Sequence, residues 1–305
     1  MLFPPAGGPI AFWQHRAQLL APAEAVLHAA LNSVIAEIIK DKRLKVVGEM
    51  LASISFPNSG RLIHLMASGF PVAGAYPHTG VLPPAERVAT STIEDIWRGS
   101  RRVQQNITAD NPTVIDQDLA AEVYTLTTDE VKKAWLKGPY STTDLDHRLG
   151  TCIPNRRFGV RQGQKVRCID DFSSSGVNAT LSAIETVDPD GLDRIAVNAR
   201  GHMEAFISSS SSRSSSSPFA GLTRHTGHTE SKLVARLCDL ESAYRQLPRA
   251  PGHASLTLIA VYNPSSRSFD FFEQTPLAFG ASSSVLSFNW VAEAIKFVLL
   301  KIFHI

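Results

Sequence analysis

In the stretch LCDLESAYRQLP, residues 237–248, one carboxylate, Asp239, follows the apolar run KLVARLC, and an aromatic ring, Tyr244, stands five positions on. An acid at the tip of a buried strand is a natural ligand for Mg²⁺ facing a triphosphate; a turn or N-cap aspartate is the plainer alternative. Upstream, RRFGVRQGQKVRCIDDF alternates basic and apolar residues around Gly159 and Gly163, which reads as a hairpin. From Arg148 to Arg167 the chain carries Arg148, Arg156, Arg157, Arg161, Lys165 and Arg167 with no acid among them. On a strand Lys165 and Arg167 share a face, so both can meet phosphate oxygens at roughly 1.5–3 kcal/mol per charged hydrogen bond. A solvated strand face would explain the same residues. In TPLAFGASSSVLSFNWV, Gly280 marks a close backbone approach, and Ser282, Ser283 and Ser284 stand where they could cap the apolar helix beyond them.

Other chemistries find less support. His225 and His228 have metal-like spacing, but no cysteine or further histidine lies close by in sequence, and a polar loop explains them. No G-x-S-x-G occurs. Cys152, Cys168 and Cys238 are odd in number and far apart, which argues against a disulfide framework; Cys168 and Cys238, beside apolar neighbours, read as small core residues. The net charge of +2 leaves a nucleic-acid partner to be judged from the distribution of charge.

Several elements must position these residues. With 305 residues, 44% of them hydrophobic and 19% charged, the chain can bury a core, and about two domains are expected. Three- and four-residue spacing of Leu19, Val26, Ala30, Val34 and Ile38 predicts an amphipathic helix over 19–39. Repeated Gly and Pro over 56–88 predict turns and short elements. Thr127 with Glu130 fits a capping box opening DEVKKAWLK, stopped by Gly138 and Pro139. The serine-rich segment 207–218 predicts a surface loop, and SLTLIAVYNPSSRSFDFFEQ predicts a strand or hairpin. The apolar C-terminal segment contains Asn289, Glu293, Lys296 and Lys301 and reads as a buried helix, not a membrane span. The N-terminal MLFPPAGGPIAFWQH lacks the pattern of a secretory signal, so an intracellular chain, in cytoplasm or nucleus, is expected.

Taken in order, these stretches resemble the signature blocks of retroelement reverse transcriptases. KVRCIDDFSSSGVN resembles the fingers block in Arg167, Asp171, Phe172 and Asn178. LCDLESAYRQLP is similar to the first palm block, and FGASSSVLSF resembles the Phe-Gly block in Phe279, Gly280 and Phe288. The wider sequence, including WLKGPY, looks most like the reverse-transcriptase-like reading frames of dinoflagellate algae, over residues 130–305. The resemblance implies an RNA-directed DNA polymerase acting on dNTP with an RNA or DNA template and primer. Asp239, assisted by the Leu240 carbonyl, would hold Mg²⁺; Tyr244 would lie under the incoming sugar and reject a 2′-hydroxyl; Lys165 and Arg167 would clamp the triphosphate; Phe279 and Gly280 would border the nucleotide. It also implies an α+β fold: a helical or irregular N-terminal region over 1–135, then fingers and an incomplete antiparallel palm sheet flanked by helices over 136–305. Asp239 and Arg167 are then expected to reach one nucleotide-sized cleft.

The family's next palm block, an aromatic residue before two aspartates, is absent, and Ala278 and Val285 replace its usual prolines. One aspartate cannot hold two metal ions, so a truncated chain without polymerase activity of its own is expected. The alternative is a non-catalytic nucleic-acid-binding or scaffold protein on the same fold.

Overall fold

The computed structural model describes residues 8–108, 116–141, 143–145, 151–188, 200–201, 204 and 240–303. Met1–Val187 and Ser242–Ile305 form one compact unit and Asp188–Glu241 a second. The elements of the first unit run α1 (Gly8–Ala29), α2 (Ser33–Ile39), α3 (Leu44–Ser53), α4 (Ser59–Ser68), β1 (Gly74–Ala75), β2 (Pro84–Arg87), α5 (Ile93–Arg98), α6 (Ser100–Thr108) and α7 (Gln117–Lys132). They continue with β3 (Leu136–Tyr140), β4 (Pro154–Gln162), β5 (Lys165–Asp171), β6 (Leu181–Glu185), β7 (Leu258–Asn263), β8 (Ser268–Gln274) and α8 (Ser282–Val298). The class is α+β, as expected.

The main sheet has the order β3-β8-β7-β4-β5. It is not purely antiparallel: β4 runs parallel to β7, from Pro154 opposite Leu258 to Arg157 opposite Val261, while every other pair is antiparallel. The two hairpins, β4 with β5 and β7 with β8, thus lie side by side. Both hairpins were expected; β7 is buried on both faces over Leu258–Tyr262. α7 covers one face, where Val123 meets Leu136, Ile259, Val261 and Phe272. Ile107 of α6 packs with Leu145, Cys152, Leu258, Ala260 and Phe271 on the other.

Several local expectations need correction. The helix predicted over 19–39 is broken, because the Asn32 side chain accepts the Val34 N–H and starts a new helix there. The Gly- and Pro-rich stretch contains α4, since Ser59–Ser68 is free of proline and places Leu62 and Met66 on one buried face. Thr127 caps nothing: α7 begins at Gln117 on its N-cap Asp116, eleven residues before Thr127, where Asp116 accepts the Leu119 N–H, and the buried Thr127 hydroxyl donates to the Val123 carbonyl. Trp135 lies outside that helix, and Leu136, Gly138 and Pro139 form β3 against β8.

A larger core joins the N-terminal segments to the sheet's end. Phe70, Val72, Phe172, Leu247, Leu277, Ala278, Leu286 and Trp290 are buried together. Phe70 pairs with Arg249, its N–H donating to the Pro248 carbonyl at 2.8 Å. Gly69 makes that approach possible, because a Cβ there would stand 2.3 Å from the Arg249 carbonyl oxygen. No helix among the described residues is long and apolar enough to cross a membrane.

Candidate functional site

β5 turns its residues alternately. Lys165 and Arg167 are exposed on one face, with Ile169 and Asp171 in the same row. Across the hairpin, Val160 stands opposite Arg167 and Phe158 opposite Ile169. Phe158 and Val160 remain 40% and 45% exposed, so this face mixes cations with apolar surface. The other face points toward α7 and carries Val166, Cys168 and Asp170, and burial pushes the Cys168 thiol up to about 11. Cys168 is therefore a packing residue, as expected.

The six cations of this run do not form one patch. Arg157 is buried, with Nε and Nη2 donating to the two Asp170 oxygens at 2.6 and 3.0 Å and Nη1 donating to Glu130 at 2.9 Å. Burial by itself would favour losing the Arg157 proton, but Asp170 and Glu130 outweigh it and keep the guanidinium charged. Arg161 faces Glu122 at 3.6 Å. Arg148 lies outside the described residues.

Tyr244 sits in a short 3-10 turn, Ala243–Gln246, half-buried. Its ring stands edge-on to Phe279, with centroids 5.1 Å apart, and tilted against Phe288 at 5.4 Å. Burial raises its hydroxyl's pKa. Phe279 is 47% exposed, and Gly280 beside it is exposed with φ +109°. A Cβ at Gly280 would lie 2.1 Å from the Asp170 carbonyl oxygen, so only glycine lets this backbone pass the end of β5. Asn178 joins the two segments: its Nδ2 donates to the Gly280 carbonyl at 3.0 Å, and its Oδ1 accepts the Ser282 N–H at 2.8 Å.

Asn178, and not a serine, thus caps α8; the Ala281 N-cap position offers no side-chain bond. The buried serines instead fasten α8 to the N-terminal segment. Ser283 donates to the Val72 carbonyl, and Ser287 accepts from the Tyr76 hydroxyl.

One cluster was not expected from the sequence. Arg245 Nη2 donates to both Glu130 oxygens at 2.9 Å, and Nη1 donates to Gln274 Oε1 at 2.7 Å. Gln274 Nε2 donates to Asp170 Oδ2 at 3.0 Å, which closes a ring through Arg157 back to Glu130. A signal existed for one edge of it alone: the tight turn at Gly163 sets the hairpin register, and that register places Arg157 opposite Asp170.

Asp239 lies outside the described residues, as do Cys238, His225, His228 and the serine-rich segment. Leu240 is half-buried and belongs to the second unit, so the expected cleft joining Asp239 to Arg167 falls outside what is described. Among the described residues, Asp170, Asp270, Glu273 and Asp171 are committed to protein partners. Asp170 holds Arg157, Asp270 accepts from Tyr124 and Asn263, and Glu273 pairs with Arg249. Asp171 accepts the Ser173 and Ser174 N–H groups; burial works against its charge, but those bonds, with Arg156, hold its pKa below the usual carboxylate value. Among the described residues no three His, Cys, Asp or Glu side chains are grouped to hold a metal ion.

No protein-family model matches the chain, and no curated protein does.

Proposed function

We propose that this chain carries the fingers and first palm segment of a retroelement RNA-directed DNA polymerase and binds a deoxynucleoside triphosphate with a primer and an RNA or DNA template. One observation carries the reading: three sequence blocks, far apart along the chain, meet in space. The fingers block reaches the Phe-Gly block through Asn178 and Gly280, and the palm block reaches it through Tyr244, Phe279 and Phe288. A nucleotide site that uses all three would bring them together; Tyr244 and Phe288 also pack against the main core. In this reading Lys165 and Arg167 hold the triphosphate, Tyr244 screens the sugar by overlap with a 2′-hydroxyl, and the backbone at Gly280 borders the base. Asp239 and the Leu240 carbonyl would hold Mg²⁺, which when bound neutralises phosphate charge. The described carboxylates do not complete that donor set, so the proposal covers binding and leaves bond formation to carboxylates not supplied here.

A second reading, a non-catalytic nucleic-acid binder, draws on the exposed face of Lys165, Arg167, Phe158 and Val160, which needs no metal.

Both are tested with the full chain, a fluorescent deoxynucleoside triphosphate, Mg²⁺ and a primer–template. Replacing Lys165 and Arg167 together by Ala should weaken triphosphate binding by about tenfold or more, at roughly 1.5–3 kcal/mol per charged hydrogen bond. Primer–template binding without any triphosphate binding would favour the second reading. Binding of neither would sink both.

A further inference from the structure

We propose that Arg245 is a positioning residue: through the ring of Glu130, Arg157, Asp170 and Gln274 it latches the turn carrying Tyr244 onto the β4 to β5 hairpin. The significance for sugar selection rests on the polymerase reading, whereas the latch itself does not. Downstream of the turn the chain is pinned by backbone bonds, from the Leu277 N–H to the Leu247 carbonyl and from the Phe70 N–H to the Pro248 carbonyl, each 2.8 Å. Within the turn the backbone closes on itself, with the Arg245 N–H reaching Ser242 and the Leu247 N–H reaching Tyr244. Its hold on the sheet therefore passes through side chains. Arg245 makes three hydrogen bonds that reach both α7 and β8, and its guanidinium lies 5.9 Å over the Trp135 ring.

The ring's composition suits a latch. Arg157 and Arg245 balance Asp170 and Glu130, and Gln274 joins Asp170 to Arg245 by using its amide once as donor and once as acceptor. A guanidinium can span two acceptors in fixed directions, which a lysine ammonium does less well. Because Arg157 and Asp170 sit on the hairpin's inner face, while Lys165 and Arg167 sit on its outer face, the same strands that present the outer cations are tied to the Tyr244 turn. Removing Arg245 leaves Glu130 and Asp170 sharing one cation in a largely buried site, so the turn should loosen before the sheet does.

Hydrogen exchange on the full chain tests this. In Arg245→Gln, amides of residues 242–247 should exchange at least about tenfold faster, with β7 and β8 unchanged. In protein labelled with 3-fluorotyrosine, the Tyr244 resonance, assigned by its loss in Tyr244→Phe, should narrow and move toward that of a solvent-exposed tyrosine. Arg245→Lys should restore it in part. If Arg245→Gln does not fold, Arg245→Gln with Glu130→Gln keeps Arg157 paired to Asp170 and leaves no surplus charge; it should loosen the turn alone. Unchanged exchange and an unmoved resonance, or a uniform rise across the core in the charge-balanced variant, would overturn the latch. Affinity for dGTP with Mg²⁺ is read separately. A loosened turn in a protein whose parent binds no dGTP upholds the latch and removes the polymerase reading.

Discussion

Among the described glycines, the one most tightly constrained by its surroundings is Gly280, whose side chain is a single hydrogen atom. Its backbone sits at φ +109°, a conformation that L side chains rarely adopt, and a methyl group there would press on the Asp170 carbonyl at 2.1 Å. Gly280→Ala combines both penalties, so a loss of about 2 kcal/mol or more is expected in urea unfolding. Gly252→Ala is the matched control, since nothing lies within 4 Å of the Cβ it would add. If the two variants lose stability equally, the close passage of Gly280 along β5 is wrong. Glycine before a helix is common in any sequence. The carbonyl that makes this glycine necessary belongs to a residue 110 positions away.

At the scale of elements, α8 is started by a residue it does not contain. Asn178 supplies the acceptor for the Ser282 N–H and donates to the Gly280 carbonyl, so the turn after β5 and the first turn of α8 are one hydrogen-bonded unit. Asn178→Ala should cost about 0.5–2 kcal/mol, the usual range for a lost N-cap. Ser282→Ala should change unfolding little, because its hydroxyl caps no backbone group. The reverse result would restore the cap that serine-rich sequence suggests. The same contrast runs through the hairpin β4 to β5. Alternation along the strand correctly groups Lys165 with Arg167, while a count of charges alone groups Arg157 with them, although it faces the opposite side and is buried.

Across the first unit, the N-terminal segments are bound to the region around the main sheet by polar contacts of long sequence separation, and one of them titrates. His253 Nδ1 accepts the Val72 N–H at 2.9 Å, which requires the neutral ring. Burial lowers its pKa, and Arg249, itself paired with Glu273, lowers it further. A folded-state value below the ordinary one of about 6.5 means that the contribution is fully present above that pH and is lost as pH falls through the folded value. Between about pH 7 and 5 the urea midpoint should therefore fall more for the parent protein than for His253→Asn, whose amide oxygen can accept the same bond without titrating. Equal slopes would show that His253 does not set the pH dependence. The two hairpins, the C-terminal helix and the α+β class were legible because local periodicity reports which face is buried, as the alternation from Arg156 to Arg167 does. The start of α7, the break after Ala29, the parallel pairing of β4 with β7 and the ring around Arg245 were not. Each depends on a partner far along the chain: Thr127 looks like a cap until α7 is seen to continue through it, and Arg157 looks solvated until Glu130, Asp170 and Gln274 surround it. The sequence by itself determined the order of the three blocks and the residue types within them. Only the tertiary structure decided that Tyr244, Phe279, Gly280 and Asn178 are neighbours, because burial and hydrogen bonding are settled by distance in space and not by position along the chain.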